Sequence, residues 1–214
     1  MSPEFCARPL PPGFEVIETF CWDGARFVRL AQHVARLERS CRRLGISFDR
    51  MQLYVQLDAL PDGGALRVRV GVAEDGQVRV THGPLAPAAK LWRVGLSADL
   101  LCSDDPWLTM KTTQRALYDR TRAALPEGID EMLFCNENAD ICEGTITSVF
   151  FDRGQGLCTP PLSCGVLPGV LRGDLLQRGA CRESLLPQAE LAHVKLWVGN
   201  SLRGLIAAKL VGLD

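Results

Sequence analysis

The spacing of apolar positions changes period several times along the chain, and each change predicts an element. Residues 14–22 (FEVIETFCW) read as a strand closed by the turn pair Asp23 and Gly24, with residues 26–29 (RFVR) returning as its hairpin partner. From 31 to 44, Val34, Leu37, Cys41 and Leu44 recur at helical spacing with arginines and a glutamate on the other face, and Gly45 ends the helix. A shorter helix is predicted over 51–60. Strands follow at 65–72 and 77–81 around a turn at 74–76. In LRVRVGV apolar and basic residues alternate, so one face is buried and the other wet.

The segment 83–90 (GPLAPAAK) is rich in proline and alanine and has no period, which makes it the candidate linker. It divides the chain into a small N-terminal α+β domain, 1–86, and a larger domain, 87–214. The second begins with a strand near 92–96 and a helix over 112–124. A strand–turn–strand unit follows at 131–136, 137–141 and 148–152, then a helix over 170–179. A final strand at 195–199 runs into a loop at 200–204. The proline-rich first dozen residues predict an irregular arm. Strands and helices mixed in irregular order indicate an α+β fold rather than a regular βαβ series.

Composition narrows the partners. The chain has 214 residues, of which 47% are hydrophobic, so a sizeable core is available. Its 24 basic and 25 acidic residues cancel, which leaves no electrostatic basis for gripping nucleic acid or a membrane surface. No apolar run reaches the roughly 18 residues of a membrane span. Small molecules and a second copy of the chain are the expected partners. The nine cysteines form no C-x-x-C pair and follow no signal peptide, so they read as reduced, core-filling thiols of a cytoplasmic protein. His33, His82 and His193 are too few and too scattered for a metal site.

Three side chains and two loops carry candidate chemistry. Lys111, in LTMKTTQR, is flanked by Trp107, Leu108 and Met110; partial desolvation there would favour a neutral, nucleophilic amine. Glu143, in ICEGTITSVFF, is an acid among apolar residues and needs a partner if buried. Arg36 shares a helix face with His33, and its planar donor fork suits a phosphate. Each also has an ordinary explanation: a surface lysine, a hairpin-turn acid, a solvent-facing arginine. PPLSCGVLPGVLR sets Gly165, Pro168 and Gly169 before a helix, and NSLRG follows a strand; free N–H groups in such places bind phosphate.

Taken in order, ETFCWDG, HVARLERSCRRLGI, KTTQRALYDR, DEMLFCNENADICEGTITSVFF, TPPLSCGVLPGVLR and NSLRG resemble the successive blocks of fold-type IV pyridoxal-phosphate enzymes, the class IV aminotransferase family. Within that family they look most like the aminodeoxychorismate lyases. The resemblance runs from about Phe14 to Leu210 and implies a two-lobed, D-amino-acid aminotransferase-like α+β architecture, a pyridoxal 5'-phosphate cofactor and a homodimer. It implies that Lys111 is the Schiff-base lysine and that Glu143 partners the pyridine nitrogen. Arg36, the backbone N–H groups of Val170 and Leu171, and Ser201 would hold the cofactor phosphate. Thr147 would lie beside the ring and Arg203 would meet a substrate carboxylate. The expected reaction is cleavage of 4-amino-4-deoxychorismate to 4-aminobenzoate and pyruvate, in folate biosynthesis. The alternatives are a transaminase of D- or branched-chain amino acids and a non-catalytic, cofactor-binding homologue. The chain departs from the family in three places: MSPEFCARPLPPG stands for a longer N-terminal hairpin, Leu171 for a threonine found in some aminotransferases, and Ser148 for a common asparagine.

Overall fold

The computed structural model describes residues 10–61, 63–87 and 89–212. The arm expected over the first dozen residues lies outside these up to residue 9, as does Cys6. The α+β reading holds, and the chain divides into two compact units, each with its own sheet. The first takes residues up to Pro87 together with Met110–Gln114; the second takes Ala88–Thr109 and the chain from Arg115 onward.

In the first unit a three-stranded antiparallel sheet has the order β1-β2-β3, with β1 Glu15–Trp22, β2 Leu66–Ala73 and β3 Val78–Pro84. Register pairs Val16, Glu18 and Phe20 of β1 with Val72, Val70 and Val68 of β2. Alternation puts these on one face, and all six are buried. Helix α1, Leu30–Leu44, packs on β1 through His33, Val34, Arg36, Leu37, Ser40 and Cys41, an i, i+3, i+4 stripe. It stops as predicted, at Gly45 with φ 70°. Helix α2, Arg50–Asp58, starts on the Asp49 carboxylate, which accepts from the Met51 N–H at 2.8 Å. From α2, Gln56 donates to the Val78 carbonyl at 2.8 Å and accepts from the Val80 N–H at 3.0 Å, so one amide covers part of the β3 edge.

Residues 26–29 do not form the expected hairpin strand. A single bridge joins Trp22 and Phe27, and the Asp23 carboxylate caps the N–H groups of Ala25 and Arg26 instead. A short polar side chain that satisfies two local donors favours a turn over a ladder. β1 takes β2 as its partner, some 40 residues on.

The second unit holds an eight-stranded sheet, β10-β11-β4-β5-β6-β7-β8-β9, in which β10 also pairs with β7. Six strands therefore close on themselves: β4 Leu91–Leu101, β5 Glu131–Asn136, β6 Ile141–Gly144, β7 Ser148–Asp152, β10 Lys195–Asn200 and β11 Gly204–Leu210. The two-residue strands β8, Cys158–Thr159, and β9, Arg182–Glu183, extend the sheet beyond β7. Val94, Leu133, Ile141, Val149, Phe151, Val198 and Ile206 fill the core of this closed sheet. β11 was not predicted: GLIAAKL has two alanines where an alternating strand would show bulk, and only its parallel pairing with β4 and antiparallel pairing with β10 make it a strand.

Helix α3, Ala116–Ala123, is shorter than the predicted 112–124 and lies against β5. Helix α4, Val170–Gln177, starts where predicted and buries Val170, Leu171 and Arg172. No helix among the described residues is long and apolar enough to cross a membrane.

At Gly199 an added Cβ would lie 2.6 Å from the Gly204 carbonyl oxygen and 3.0 Å from Leu171 Cδ2. The nearer atom is backbone in a ladder, so it has nowhere to go. Gly199→Ala is expected to lower stability by about 1–3 kcal/mol, read as a shift of the urea midpoint at unchanged slope.

Candidate active site

Lys111 is positioned by β1. The segment Met110–Gln114 runs alongside that strand: the Lys111 carbonyl accepts from the Ile17 N–H at 2.9 Å, and the Thr113 N–H donates to the Glu15 carbonyl at 2.9 Å. The Glu15 N–H in turn donates to Thr113 Oγ1 at 2.9 Å, and Thr112 is buried in a bridge with Val16. Thr112 and Thr113, expected to open a helix, thus serve as β1 partners, because an unpaired strand edge supplies donors and acceptors that outcompete a short helical turn. The lysine expected in the second domain is grouped by these bonds with the first unit.

Next to that segment's strand partner lies a buried charge cluster. Glu18 is 1% exposed, His33 1% and Arg36 5%. Arg36 donates from Nε and Nη2 to the two Glu18 oxygens, both at 2.7 Å, and His33 Nδ1 lies 2.7 Å from Glu18 Oε2. Burial pushes the Glu18 carboxyl upward, but the Arg36 guanidinium and the hydrogen bonds from Arg36 and His33 outweigh it. The result is a pKa of about 2 against an ordinary 4.5. Burial lowers the His33 pKa below 6.5; Glu18 opposes the shift, while the charges of Arg36 and Lys111 add to it. Neutral His33 therefore donates its Nδ1 proton to Glu18. Arg36 and Lys111, singled out from sequence, stand in one electrostatic neighbourhood, and Glu18, not singled out, organises it. The parity of Val16, Glu18 and Phe20 was the available signal, since it places an acid on a buried face.

In the second unit Glu143 lies in β6, one residue before its end at Gly144, and is 6% exposed. Its Oε1 accepts from the Tyr118 hydroxyl at 2.6 Å and its Oε2 from the Leu167 N–H at 2.9 Å. The turn that follows is built on Glu131, which is 0% exposed. That carboxylate accepts from the Thr145 N–H at 2.9 Å, the Ile146 N–H at 3.1 Å, Thr147 Oγ1 at 3.0 Å and the Thr145 hydroxyl, with Arg122 Nη1 at 3.4 Å. Thr147 therefore spends its hydroxyl proton on Glu131. Gly144 is required here, because a Cβ would meet Thr147 Oγ1 at 2.5 Å and Glu131 Cδ at 2.8 Å.

Val170 and Leu171 open α4 with no side chain capping the helix, so first-turn N–H groups point out of its end as a phosphate site requires. Gly169 precedes them, and a Cβ there would lie 2.5 Å from Ser148 Oγ. Ser201 is buried in the turn after β10. Asn200 fixes that turn: Oδ1 accepts from the N–H groups of Leu202 and Arg203 at 3.1 and 3.0 Å, and Nδ2 donates to the Ile146 carbonyl at 3.1 Å. Arg203 has its guanidinium 5.7 Å from the Trp92 ring centroid. Glu131 and Tyr118 went unmarked in the sequence, the first because an acid at a strand start is commonplace.

The eight described cysteines are all unpaired, and all but Cys102 are buried. Burial pushes the Cys41 thiol up to about 12 and those of Cys135, Cys164 and Cys181 up to about 11. Such thiols pack rather than react. Among the described residues no three His, Cys, Asp or Glu side chains are placed to hold a metal.

The two-unit α+β fold is that of the fold-type IV enzymes. The chain belongs to the class IV aminotransferase family, whose model matches residues 15–211. It is 42% identical, at a TM-score of 0.87, to the structure named "Putative amino-acid aminotransferase" from Mesorhizobium loti, covering 92% of this chain and 100% of that one. A protein of Schizosaccharomyces pombe named "Putative aminodeoxychorismate lyase" is 30% identical over 177 residues, 78% of this chain and 75% of that protein. The aminodeoxychorismate lyase of Bacillus subtilis is 25% identical over 189 residues, 77% of this chain and 64% of that enzyme.

The buried cluster makes stability depend on pH. His33 is harder to protonate folded than unfolded, so stability falls as pH drops below about 6.5. Glu18 has its folded pKa depressed, so its contribution is complete above 4.5 and is lost as pH falls towards 2. Urea midpoints measured across this range should fall in those two windows. Glu18→Gln should flatten the lower one and cost stability at neutral pH, since Arg36 then lacks its buried counter-ion, a loss of about 3–5 kcal/mol.

Proposed function

We propose that the chain is a pyridoxal-phosphate-dependent lyase that converts 4-amino-4-deoxychorismate to 4-aminobenzoate and pyruvate, a step of folate biosynthesis. The reading is carried by its likeness to the two relatives named for aminodeoxychorismate lyase. The donor set supports the cofactor. Taken singly, the α4 start without a side-chain cap and the planar fork of Arg36 each suit a phosphate, and the buried Glu143 carboxylate suits a protonated pyridine nitrogen.

In this reading Lys111 would be the residue that holds the cofactor covalently through its amine. Bound pyridoxal phosphate would take up electron density from the substrate carbon that bears the amine. Lys111 Nζ then removes the proton from that carbon as general base. Its anchor on the Ile17 N–H fixes the backbone from which the side chain reaches. Arg36, the N–H groups of Val170 and Leu171, and the Ser201 hydroxyl hold the phosphate. Glu18 keeps Arg36 aligned. Glu143 keeps the ring nitrogen protonated, and Thr147 stands beside the ring with its hydroxyl turned to Glu131. Arg203, stacked on Trp92, meets a substrate carboxylate. Loss of the enolpyruvyl group is driven by aromatisation. A cytoplasmic homodimer is part of the proposal.

Transamination is the second reading, favoured by the 42% identity to a chain named as an amino-acid aminotransferase. There the same Lys111 amine would serve as the proton-moving group of a reaction in which an amino group, not an enolpyruvyl group, leaves the substrate.

The test is cofactor-loaded protein given 4-amino-4-deoxychorismate, with both products measured. Equal release of 4-aminobenzoate and pyruvate, reduced about 10²–10⁴-fold in Lys111→Ala, is the expected result. A yellow, Lys111-dependent protein that releases neither product, but moves an amino group from an amino acid to a 2-oxo acid, would establish the second reading in its place.

A further inference from the structure

Tyr118 lies on α3, seven residues beyond Lys111, and nothing above gives it a role. Its ring is gripped from two sides. The Phe134 ring meets it edge-on, with centroids 5.2 Å apart and planes at 73°, and the Arg115 guanidinium lies 5.5 Å from its centroid. Arg115 is itself held, by Asp119 at 2.7 Å and by the Thr145 carbonyl at 2.8 Å. Phe134 is fully buried in a core cluster with Leu101, Leu108, Cys142, Cys164 and Val166, against which Tyr118 packs. So fixed, the phenol directs its hydroxyl at Glu143 Oε1, 2.6 Å away. Burial, then the Glu143 charge and the hydrogen bond to it, raise the phenol's pKa far above 10, so the group is a donor throughout the working pH range.

The Leu167 N–H holds only Oε2. With the phenol on Oε1 and the N–H on Oε2, each oxygen has a donor, and donors on both oxygens restrain the plane of a carboxylate more than a donor on one. An ionised carboxylate offers about four acceptor positions, and the phenol and the Leu167 N–H take one on each oxygen.

We propose that Tyr118 is a positioning residue for Glu143, fixing the plane and charge of the carboxylate that receives the pyridine N–H of pyridoxal phosphate. The inference rests on the cofactor role proposed for Glu143. It assigns to Tyr118 an action through that carboxylate and no contact with the reacting atoms. Replacing the phenol by phenylalanine keeps the packed ring and removes only the donor, which leaves the carboxylate more basic.

The test is a double-mutant cycle on pyridoxal phosphate affinity, titrated on the full chain for wild type, Tyr118→Phe, Glu143→Ala and the double variant. Tyr118→Phe is expected to weaken binding about tenfold, the scale of one hydrogen bond to a charged group. Glu143→Ala should weaken it at least as much, and adding Tyr118→Phe to Glu143→Ala should change it less than about twofold. Equal cost of Tyr118→Phe on both backgrounds would mean that the phenol acts through packing, which overturns the proposal and leaves Glu143 in place. Wild-type affinity in Glu143→Ala would remove the assignment of Glu143 and the proposal with it. Should Glu143→Ala not fold, the visible absorption of cofactor bound to Tyr118→Phe is followed against pH. A midpoint moved by about one unit is expected, and an unmoved midpoint overturns the proposal.

Discussion

A carboxylate taken out of water must be given donors, and this constraint organises both units. Glu18 is enclosed by Arg36 and His33, and Glu131 by three backbone N–H groups, two threonine hydroxyls and Arg122. Left unpaired, either charge would cost several kcal/mol. Met, they fix geometry instead. Glu18 cannot move without uncoupling α1 from β1, and Glu131 cannot move without releasing the turn that leads out of β6.

The proposed chemistry draws on side chains that these acids position. Arg36 presents its guanidinium in one orientation because Glu18 takes its Nε–Nη2 edge. Thr147 points where it does because Glu131 takes its proton. Glu143 is restrained by a phenol and a backbone N–H in the same manner. Such groups need little reorganisation when charge develops, which is where preorganised sites gain rate. Asn200 does the equivalent for the Ser201 turn, tying it to the carbonyl of Ile146.

Lys111 is located by a different means. Its segment carries no element of its own and borrows order from β1 through backbone hydrogen bonds. The root of that side chain is thereby set by β1 and not by a helix of its own.

The sequence by itself determined the elements with a strong local period, α1 with its glycine stop, the alternating β2 and the start of α4. It also determined the family, because six blocks in one order are hard to produce by chance. Its α+β class followed from the same pattern. Tertiary structure alone decided what depends on partners distant in the chain. β1 found its long ladder in β2, while residues 26–29 keep a single bridge to Trp22 and give the Ala25 and Arg26 N–H groups to Asp23. GLIAAKL became β11 only between β10 and β4. The Thr112–Thr113 pair turned from a helix start into partners of β1. Glu18, Glu131 and Tyr118 met partners 14 to 25 residues away. Local sequence encodes period and propensity; which donor a buried acid will meet is settled only when the chain folds back on itself.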